Sequence, residues 1–203
     1  MNQSRIKLPP PTLKGKVSVE EAISRRRSIR RFKAQPLTLN QLSQILWSAQ
    51  GITEIGELRA APSAGATYPL EIFILTGNQT VESLDAGIYH YEVADHLLAL
   101  HFPGDLRLEL AQAALDEGFI AAAPADIVVC ALYSRTSYRY GRRGERYVHM
   151  EVGHVGENVH LQAVALGLGT VMVGAFDDEE VRKILQLEEQ FKPLYIMPLG
   201  KPV

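Results

Sequence analysis

The 203-residue sequence predicts a single mixed domain, α/β or α+β, built around one mostly buried sheet. Helix and strand patterns are mixed throughout the chain, which indicates one layered domain. Apolar residues make up 46% of the sequence, far more than disordered chains contain. No internal repeat or second domain is visible. We expect residues 1–17 to form an extended arm rich in proline and lysine, and residues 18–203 to form the domain.

The first half predicts two capped helices followed by strands. Ser18 and Glu21 have the spacing of a capping box, as do Thr38 and Gln41 at the start of a second helix. Gly51 should end that second helix. Three strands are predicted over 71–76, 88–92 and 97–102.

The second half predicts one long helix between buried strands. A helix over 106–117 leads to a continuous apolar strand over 127–132, which should bury the single cysteine, Cys130. The polar stretch 134–146, with five arginines, is predicted to be a loop before a long helix over 147–166. A strand over 170–173, a helix capped by Asp177 that ends near Leu187, and a strand over 194–199 should complete the domain.

Composition limits the classes of partner and compartment. A net charge of -2 gives no global field for nucleic acid or membranes. One cysteine cannot form an intramolecular disulfide, which favours a reducing, cytoplasmic location. The nearly uncharged stretch Val159–Phe176 contains three glycines, so we interpret it as a buried helix leading into a buried strand rather than a membrane span.

Arginines occupy five of the seven positions from Arg25 to Arg31. Guanidinium groups match phosphate oxygens bidentately, and Ser28 adds a hydroxyl at the same place. A solvated helix end and a nucleic-acid patch are the alternatives. The apolar Ile29 and Phe32 interrupt the charges, which favours a packed segment whose arginines point in one direction.

Two further segments have both a plain and a functional interpretation. The small residues of Pro62–Thr67 would let the backbone approach a flat ligand, although they also suit a tight loop. Gly167 and Gly169 follow a helix and precede a strand, the wrong order for a dinucleotide fingerprint, so Gly167 should cap the helix.

Two segments of the long helix each resemble half of a di-metal carboxylate motif, namely Glu151-x-x-His154 and Glu157-x-x-His160. They are rotated by roughly 240° from each other around the helix, so they cannot bind one metal ion within the chain. We therefore expect surface or interface residues rather than metal ligands at His149, Glu151, His154, Glu157 and His160.

Taken in order, these segments resemble the nitroreductase superfamily over roughly Val17–Pro202, and within it the SagB-like dehydrogenase branch. The resemblance rests on Arg-Arg-Ser-Ile-Arg-Arg-Phe from Arg26, on the small-residue loop, on Glu-x-Gly-His-x-x-Glu-Asn from Glu151, and on Gly-Ala-Phe-Asp from Gly174. It implies an α+β, nitroreductase-like fold with a central, mostly antiparallel sheet flanked by helices. It also implies an intertwined homodimer with FMN at the subunit interface.

The resemblance further implies which residues bind the flavin. Arg26 and Arg27 would contact the FMN phosphate, Ser28 the ribityl-phosphate region, and Arg30 the N1–C2=O2 edge of the ring. Lys201 could replace the longer basic tail with which many relatives clamp the phosphate. The remaining contacts would come from Pro62, Ser63, Ala64 and Ala66 of the partner subunit, and from the backbone of Val173, Gly174 and Ala175 beside N5.

The resemblance implies an FMN-dependent oxidoreductase, for which we expect no metal, that passes hydride from NADH or NADPH through flavin N5 to a small organic acceptor. Tyr140 would act as a proton donor or lid residue. One alternative is a substrate-specific flavin dehydrogenase of a biosynthetic pathway, and another is a non-enzymatic flavin-binding module. Azoline oxidation is disfavoured because Arg139 stands where the azoline-oxidising relatives carry lysine, and arginine stays protonated.

Overall fold

The computed structural model describes residues 5–54 and 58–203. Its first half comprises β1 (Arg5–Lys7), α1 (Val19–Arg25), α2 (Leu39–Gln50), β2 (Ile52–Glu54), β3 (Leu58–Arg59), a 3₁₀ turn (Ala64–Ala66), β4 (Leu70–Thr76), β5 (Gly87–Glu92) and β6 (Leu97–Pro103). Its second half comprises α3 (Arg107–Ala113), α4 (Gly118–Ala122), β7 (Ala125–Ala131), α5 (Tyr133–Tyr140), α6 (Arg143–Ala165), β8 (Gly169–Thr170), α7 (Asp178–Ile184) and β9 (Lys192–Gly200).

The main sheet has the strand order β1-β6-β5-β4-β7-β9-β8, and its neighbouring strands are antiparallel. Alternate residues of β4 face opposite sides, as the pleat requires. Ile72 and Ile74 join the core beneath α2 and α6, whereas Phe73 and Leu75 join the core beneath α3, α4 and α7. The predicted α+β fold with a central, mostly antiparallel sheet flanked by helices is confirmed.

The predicted helix ends are confirmed at several positions. The Ser18 and Asp177 side chains cap α1 and α7, and Thr38 completes a capping box at the start of α2. Gly167 adopts the left-handed φ of 68° just after α6. The Leu168 amide then bonds the Ala163 carbonyl at 2.8 Å, which forms a Schellman motif.

The predicted polar loop over 134–146 is wrong. Most of this stretch lies in α5 and in the first turn of α6. Its buried face is polar, because Thr136 is buried and its hydroxyl lies 2.8 Å from that of Thr67. Sequence periodicity finds helices by an apolar stripe, whereas the one buried residue of α5 is the polar Thr136.

Three other boundaries differ from the predictions. The helix predicted over 106–117 is broken at Leu115 and Asp116, which adopt left-handed φ angles of 57° and 60°. The strand over 170–173 is regular only to Thr170, with one further bridge at Val173. Arg5–Lys7, within the arm, pairs with the edge of the sheet. This pairing depends on a distant strand, so no local pattern could reveal it.

The long apolar stretch and the cysteine have plain structural roles. Cys130 is buried in β7, and burial raises the pKa of its thiol, as expected of an inert cysteine. Within residues 5–54 and 58–203, no helix is long and apolar enough to cross a bilayer.

Candidate functional site

The arginine segment lies along the edge strand β8. The Ile29 amide donates to the Thr170 carbonyl at 2.9 Å, and Ser28 forms a parallel bridge with Thr170. A Cβ at Gly169 would lie 2.7 Å from Ile29 Cβ, and real Cβ atoms do not come that close. Glycine at position 169 therefore allows the segment to approach the sheet, a role that its local sequence does not reveal.

The C-terminal residues hold the other side of the segment. The Lys33 amide donates to the Lys201 carbonyl at 2.8 Å, and Phe32 forms an antiparallel bridge with Pro202. Gly200 pairs with Gly169 across β8 and β9, and a Cβ there would lie 2.9 Å from the Phe32 ring. The fold thus brings Lys201 to the arginine segment, 168 positions after Lys33.

The arginines of the segment have different environments. Arg25 forms an ion pair with Glu21 at 2.6 Å, and Arg27 donates to the backbone carbonyl of Ser24 at 3.1 Å. The Arg30 guanidinium lies 5.9 Å from the centroid of the Phe119 ring. Within the described parts of the chain, Arg26, Arg30 and Arg31 have no ion pair. The segment therefore carries unneutralised positive charge.

Two buried polar atoms lie next to the arginine segment, on residues near Arg26 and Ser28. His160 Nε2 and Thr170 Oγ1 have no hydrogen-bond partner among the residues that the structure describes. Burial, together with the nearby Arg26 charge, lowers the pKa of His160 to about 4. The imidazole is therefore neutral near pH 7, and it could accept or donate one further hydrogen bond.

The expectation that Glu151 and His160 are surface or interface residues is wrong, because both are buried in this chain. They lie nine positions apart on α6 and hence on opposite sides of the helix. Both sides are covered, since α6 packs against α1, α2, α5 and β8. The rotation between the half-motifs, on which the expectation rested, says nothing about how many sides of the helix are covered, and a helix covered on several sides buries residues at more than one face.

The third predicted segment continues from β8. Val173 exchanges both backbone hydrogen bonds with Ile196, at 2.9 and 3.0 Å, and the exposed Gly174 and Ala175 follow it. A Cβ at Gly174 would meet only Tyr195, at an ordinary distance of 3.7 Å. Packing within the described chain therefore gives no reason for glycine at position 174.

The small-residue loop contacts α5 but remains partly exposed. Gly65 and Ala66 have left-handed φ angles of 61° and 52°. Arg139 Nη1 donates to the Gly65 carbonyl at 3.2 Å, and the Tyr140 hydroxyl lies 2.6 Å from the position of a Gly65 Cβ. Tyr140 is thus brought to the loop that contains Ala64, while Pro62 remains exposed at its start.

The fold does not bring this loop to the arginine segment within one chain. Ser63 bonds Glu151 at 2.5 Å, whereas Arg26 lies near His160. Glu151 and His160 are nine positions apart on α6, a distance of about 13 Å at 1.5 Å per residue. The predicted site residues therefore form two groups.

A polar network beside the loop was not predicted. Arg135 bonds the Tyr68 carbonyl at 3.0 Å and Glu71 at 2.6 Å, and Glu71 bonds His90 at 2.7 Å. Burial raises the pKa of Glu71, but the bond from His90 and the Arg135 charge outweigh it and lower the pKa overall. Glu71, His90 and Arg135 line a cleft of about 400 Å³, together with Phe73. The one sequence signal was a glutamate within an apolar strand.

Known proteins of similar sequence and structure identify the family of this chain. The model of the nitroreductase family matches residues 23–201. The chain belongs to the nitroreductase family. A protein of Methanocaldococcus jannaschii, provisionally named a nitroreductase, is 46% identical over 187 residues, which are 92% of each chain.

Two further matches extend this family assignment. A crystal structure from Ralstonia eutropha, also provisionally named a nitroreductase, superposes with a TM-score of 0.85 at 28% identity and covers 98% of this chain and 90% of that one. The microcin B17-processing protein McbC of Escherichia coli is 25% identical over 81% of this chain and 62% of its own length. The resemblance to the nitroreductase superfamily is confirmed, and a microcin B17-processing protein is among the relatives.

Proposed function

We propose that this nitroreductase-family protein is an FMN-dependent oxidoreductase that carries electrons from NADH or NADPH to a small organic acceptor. We further propose that it works as a homodimer with FMN at the subunit interface. One observation carries the proposal: the arginine segment, Thr170 and Lys201, far apart in sequence, meet at one edge of the sheet.

The residues at this edge fit a flavin phosphate. Arg26 has no ion pair in the described residues, and the buried Thr170 hydroxyl lacks a partner there. Lys201 adds a third polar group that is exposed. Charge-assisted hydrogen bonds from such groups are the usual means of holding a phosphate dianion.

The separation of the two groups of site residues supports a dimeric site. About 13 Å of α6 lies between them in one chain, so a second copy could bring its loop against the arginine segment. Leu13, Val19 and Ile23 are 78%, 65% and 57% exposed. They lie in or beside a cleft of about 630 Å³ formed by residues 12–19, α2 and α6. This apolar surface is of the kind that subunit interfaces cover.

Each site residue has a proposed role. Arg26, Arg27 and Ser28 hold the phosphate, and Arg30 stabilises negative charge at the N1–C2=O2 edge of the ring. Bound FMN would supply the two-electron chemistry, and the protein supplies binding, orientation and electrostatics. Tyr140, held at the small-residue loop, donates a proton to the acceptor or closes over it.

The purified protein provides the direct test. We expect it to be yellow, with FMN as the released cofactor, and to bleach on anaerobic addition of NADH or NADPH. A colourless protein that cannot be reconstituted with FMN would refute the proposal. A flavin that stays oxidised with both nucleotides would remove only the nicotinamide part.

A matched pair of arginine variants tests the site itself. Arg26→Ala should weaken FMN binding about tenfold or more, because a charge-assisted hydrogen bond is lost. Arg25→Ala should leave the Kd for FMN within about twofold of the wild-type value, since Arg25 is exposed and forms a surface ion pair with Glu21. Equal losses in both variants would indicate a general charge effect rather than a phosphate site.

A second candidate function is supported by the match to McbC. A substrate-specific dehydrogenase would reduce its flavin with an organic substrate instead of a nicotinamide nucleotide. Arg139 bonds the Gly65 carbonyl and stays protonated, so it is not a general base for such a reaction. Flavin bleaching by a candidate substrate, with no response to NADH or NADPH, would favour this function. Tight FMN binding without turnover would favour a non-enzymatic module.

A further inference from the structure

The small-residue loop has a backbone shape that its own sequence does not favour. Gly65, Ala66 and Tyr68 have φ angles of 61°, 52° and 43°. Only glycine adopts this left-handed region without steric cost, so Ala66 and Tyr68 must be held there by other contacts. Those contacts decide whether the loop keeps its shape.

One hydroxyl group closes the loop at its base. Ser63 Oγ accepts a hydrogen bond from the Tyr68 amide at 3.0 Å and donates its own hydrogen to Glu151 Oε2 at 2.5 Å. Tyr68 lies at the left-handed end of the loop, so the bond to Ser63 spans the strained residues. Glu151 is 2% exposed and belongs to the 23-residue helix α6, which gives the loop a rigid anchor.

Further contacts close a ring around Glu151. The Arg59 guanidinium donates to Gln50 Oε1 at 3.0 Å and lies 4.3 Å from the centroid of the Tyr68 ring. The Arg59 amide also donates to the Tyr68 hydroxyl at 3.2 Å. Gln50 lies close enough to Glu151 to lower the pKa of the carboxyl, although burial has the larger, opposite effect and the pKa is raised overall. Tyr68 is thus held through both its amide and its ring.

The arrangement is not a fully satisfied structural network. Glu151 Oε1 and Gln50 Nε2 are buried without a hydrogen-bond partner in the part of the chain that the structure describes. Gln50 lies close enough to lower the pKa of the Glu151 carboxyl, so these two atoms form an imperfect pair with each other. Among residues 5–54 and 58–203, the bond to Ser63 is the one well-formed hydrogen bond of this carboxylate.

We propose that Glu151 is a positioning residue for the flavin: through Ser63 it fixes the left-handed loop Gly65–Tyr68 in the shape that receives the cofactor. The inference rests on the proposed function and adds to it a residue outside the predicted flavin contacts. It also changes the role of Ser63, whose hydroxyl holds the loop while its backbone lines the site.

A double-mutant cycle in the full-length protein tests this coupling. Ser63→Ala and Glu151→Leu should each raise the Kd for FMN about tenfold or more, because each removes a hydrogen bond to a charged group. The double variant should bind FMN no more weakly than whichever single variant binds it more weakly, since both changes remove the same hydrogen bond. Glu151→Gln, which keeps an acceptor oxygen of the same size, should stay within about threefold of the wild type.

The control and the second readout separate positioning from general stability. Glu109→Leu, at an exposed glutamate in α3, should leave the Kd unchanged. The visible circular dichroism of bound FMN should change in Ser63→Ala and recover in Glu151→Gln, which an unspecific loss of stability would not produce. If Glu151→Leu does not fold, Ser63→Ala and Glu151→Gln still carry this comparison.

Amide hydrogen exchange distinguishes failure of this inference from failure of the proposed function. Without FMN, residues 63–68 should exchange about tenfold faster in Ser63→Ala than in the wild type. Faster exchange in a protein that never binds FMN would overturn the cofactor assignment while keeping the coupling. Additive losses of FMN affinity, or unchanged affinity and dichroism in Ser63→Ala, would overturn the positioning role.

Discussion

Gly169→Ala should displace the arginine segment without altering any arginine. The added Cβ would lie 2.6 Å from Ile29 Cγ1 and 2.7 Å from Ile29 Cβ. Ile29 is β-branched, and its amide is held by the Thr170 carbonyl at 2.9 Å, so the side chain cannot turn away without moving the backbone. Overpacking of this kind costs about 1–3 kcal/mol.

We expect the free energy of unfolding of Gly169→Ala, measured in urea without FMN, to fall by about that amount. FMN affinity should fall as well, because Ser28 and Arg30 flank the displaced Ile29. Gly118→Ala is the matched control, since a Cβ there meets no atom within 4 Å. A Gly169→Ala protein with wild-type unfolding and wild-type FMN affinity would refute the claim that close packing against β8 positions the segment.

Two further predictions concern stability. Both oxygens of the buried Asp126 lack hydrogen-bond partners among the described residues, and burial raises its pKa well above the usual range. The contribution of Asp126 to stability should therefore fall as the pH rises above about 4, the usual pKa of an aspartate in an unfolded chain. Asp126→Asn should become more stable than the wild type by about 1–3 kcal/mol towards neutral pH, and a gap between their urea midpoints that does not widen with pH would contradict this. In α6, Gly153→Ala meets no atom within 4 Å and should raise the melting temperature, whereas Gly156→Ala would meet Met172 Sδ at 2.3 Å and should lower it. Equal shifts would show that Met172 moves aside freely.

The sequence alone determined the order and type of most elements. Capping residues at Thr38 and Asp177, the glycine at Gly167 and the apolar run of β7 act over a few residues, so local pattern is enough to identify them. The positive charge of the arginine segment could also be predicted from the sequence, because guanidinium groups have the same chemistry in any fold.

Tertiary structure decided which of these residues meet. Lys33 bonds Lys201, and Glu151 bonds Ser63, only because the sheet order and the path of α6 bring them together. The helix α5 was not predicted because its one buried residue, Thr136, is polar, and helix prediction from periodicity relies on a stripe of apolar residues. Long-range hydrogen bonds leave no periodic trace in a sequence, since each depends on two positions that only the folded chain relates.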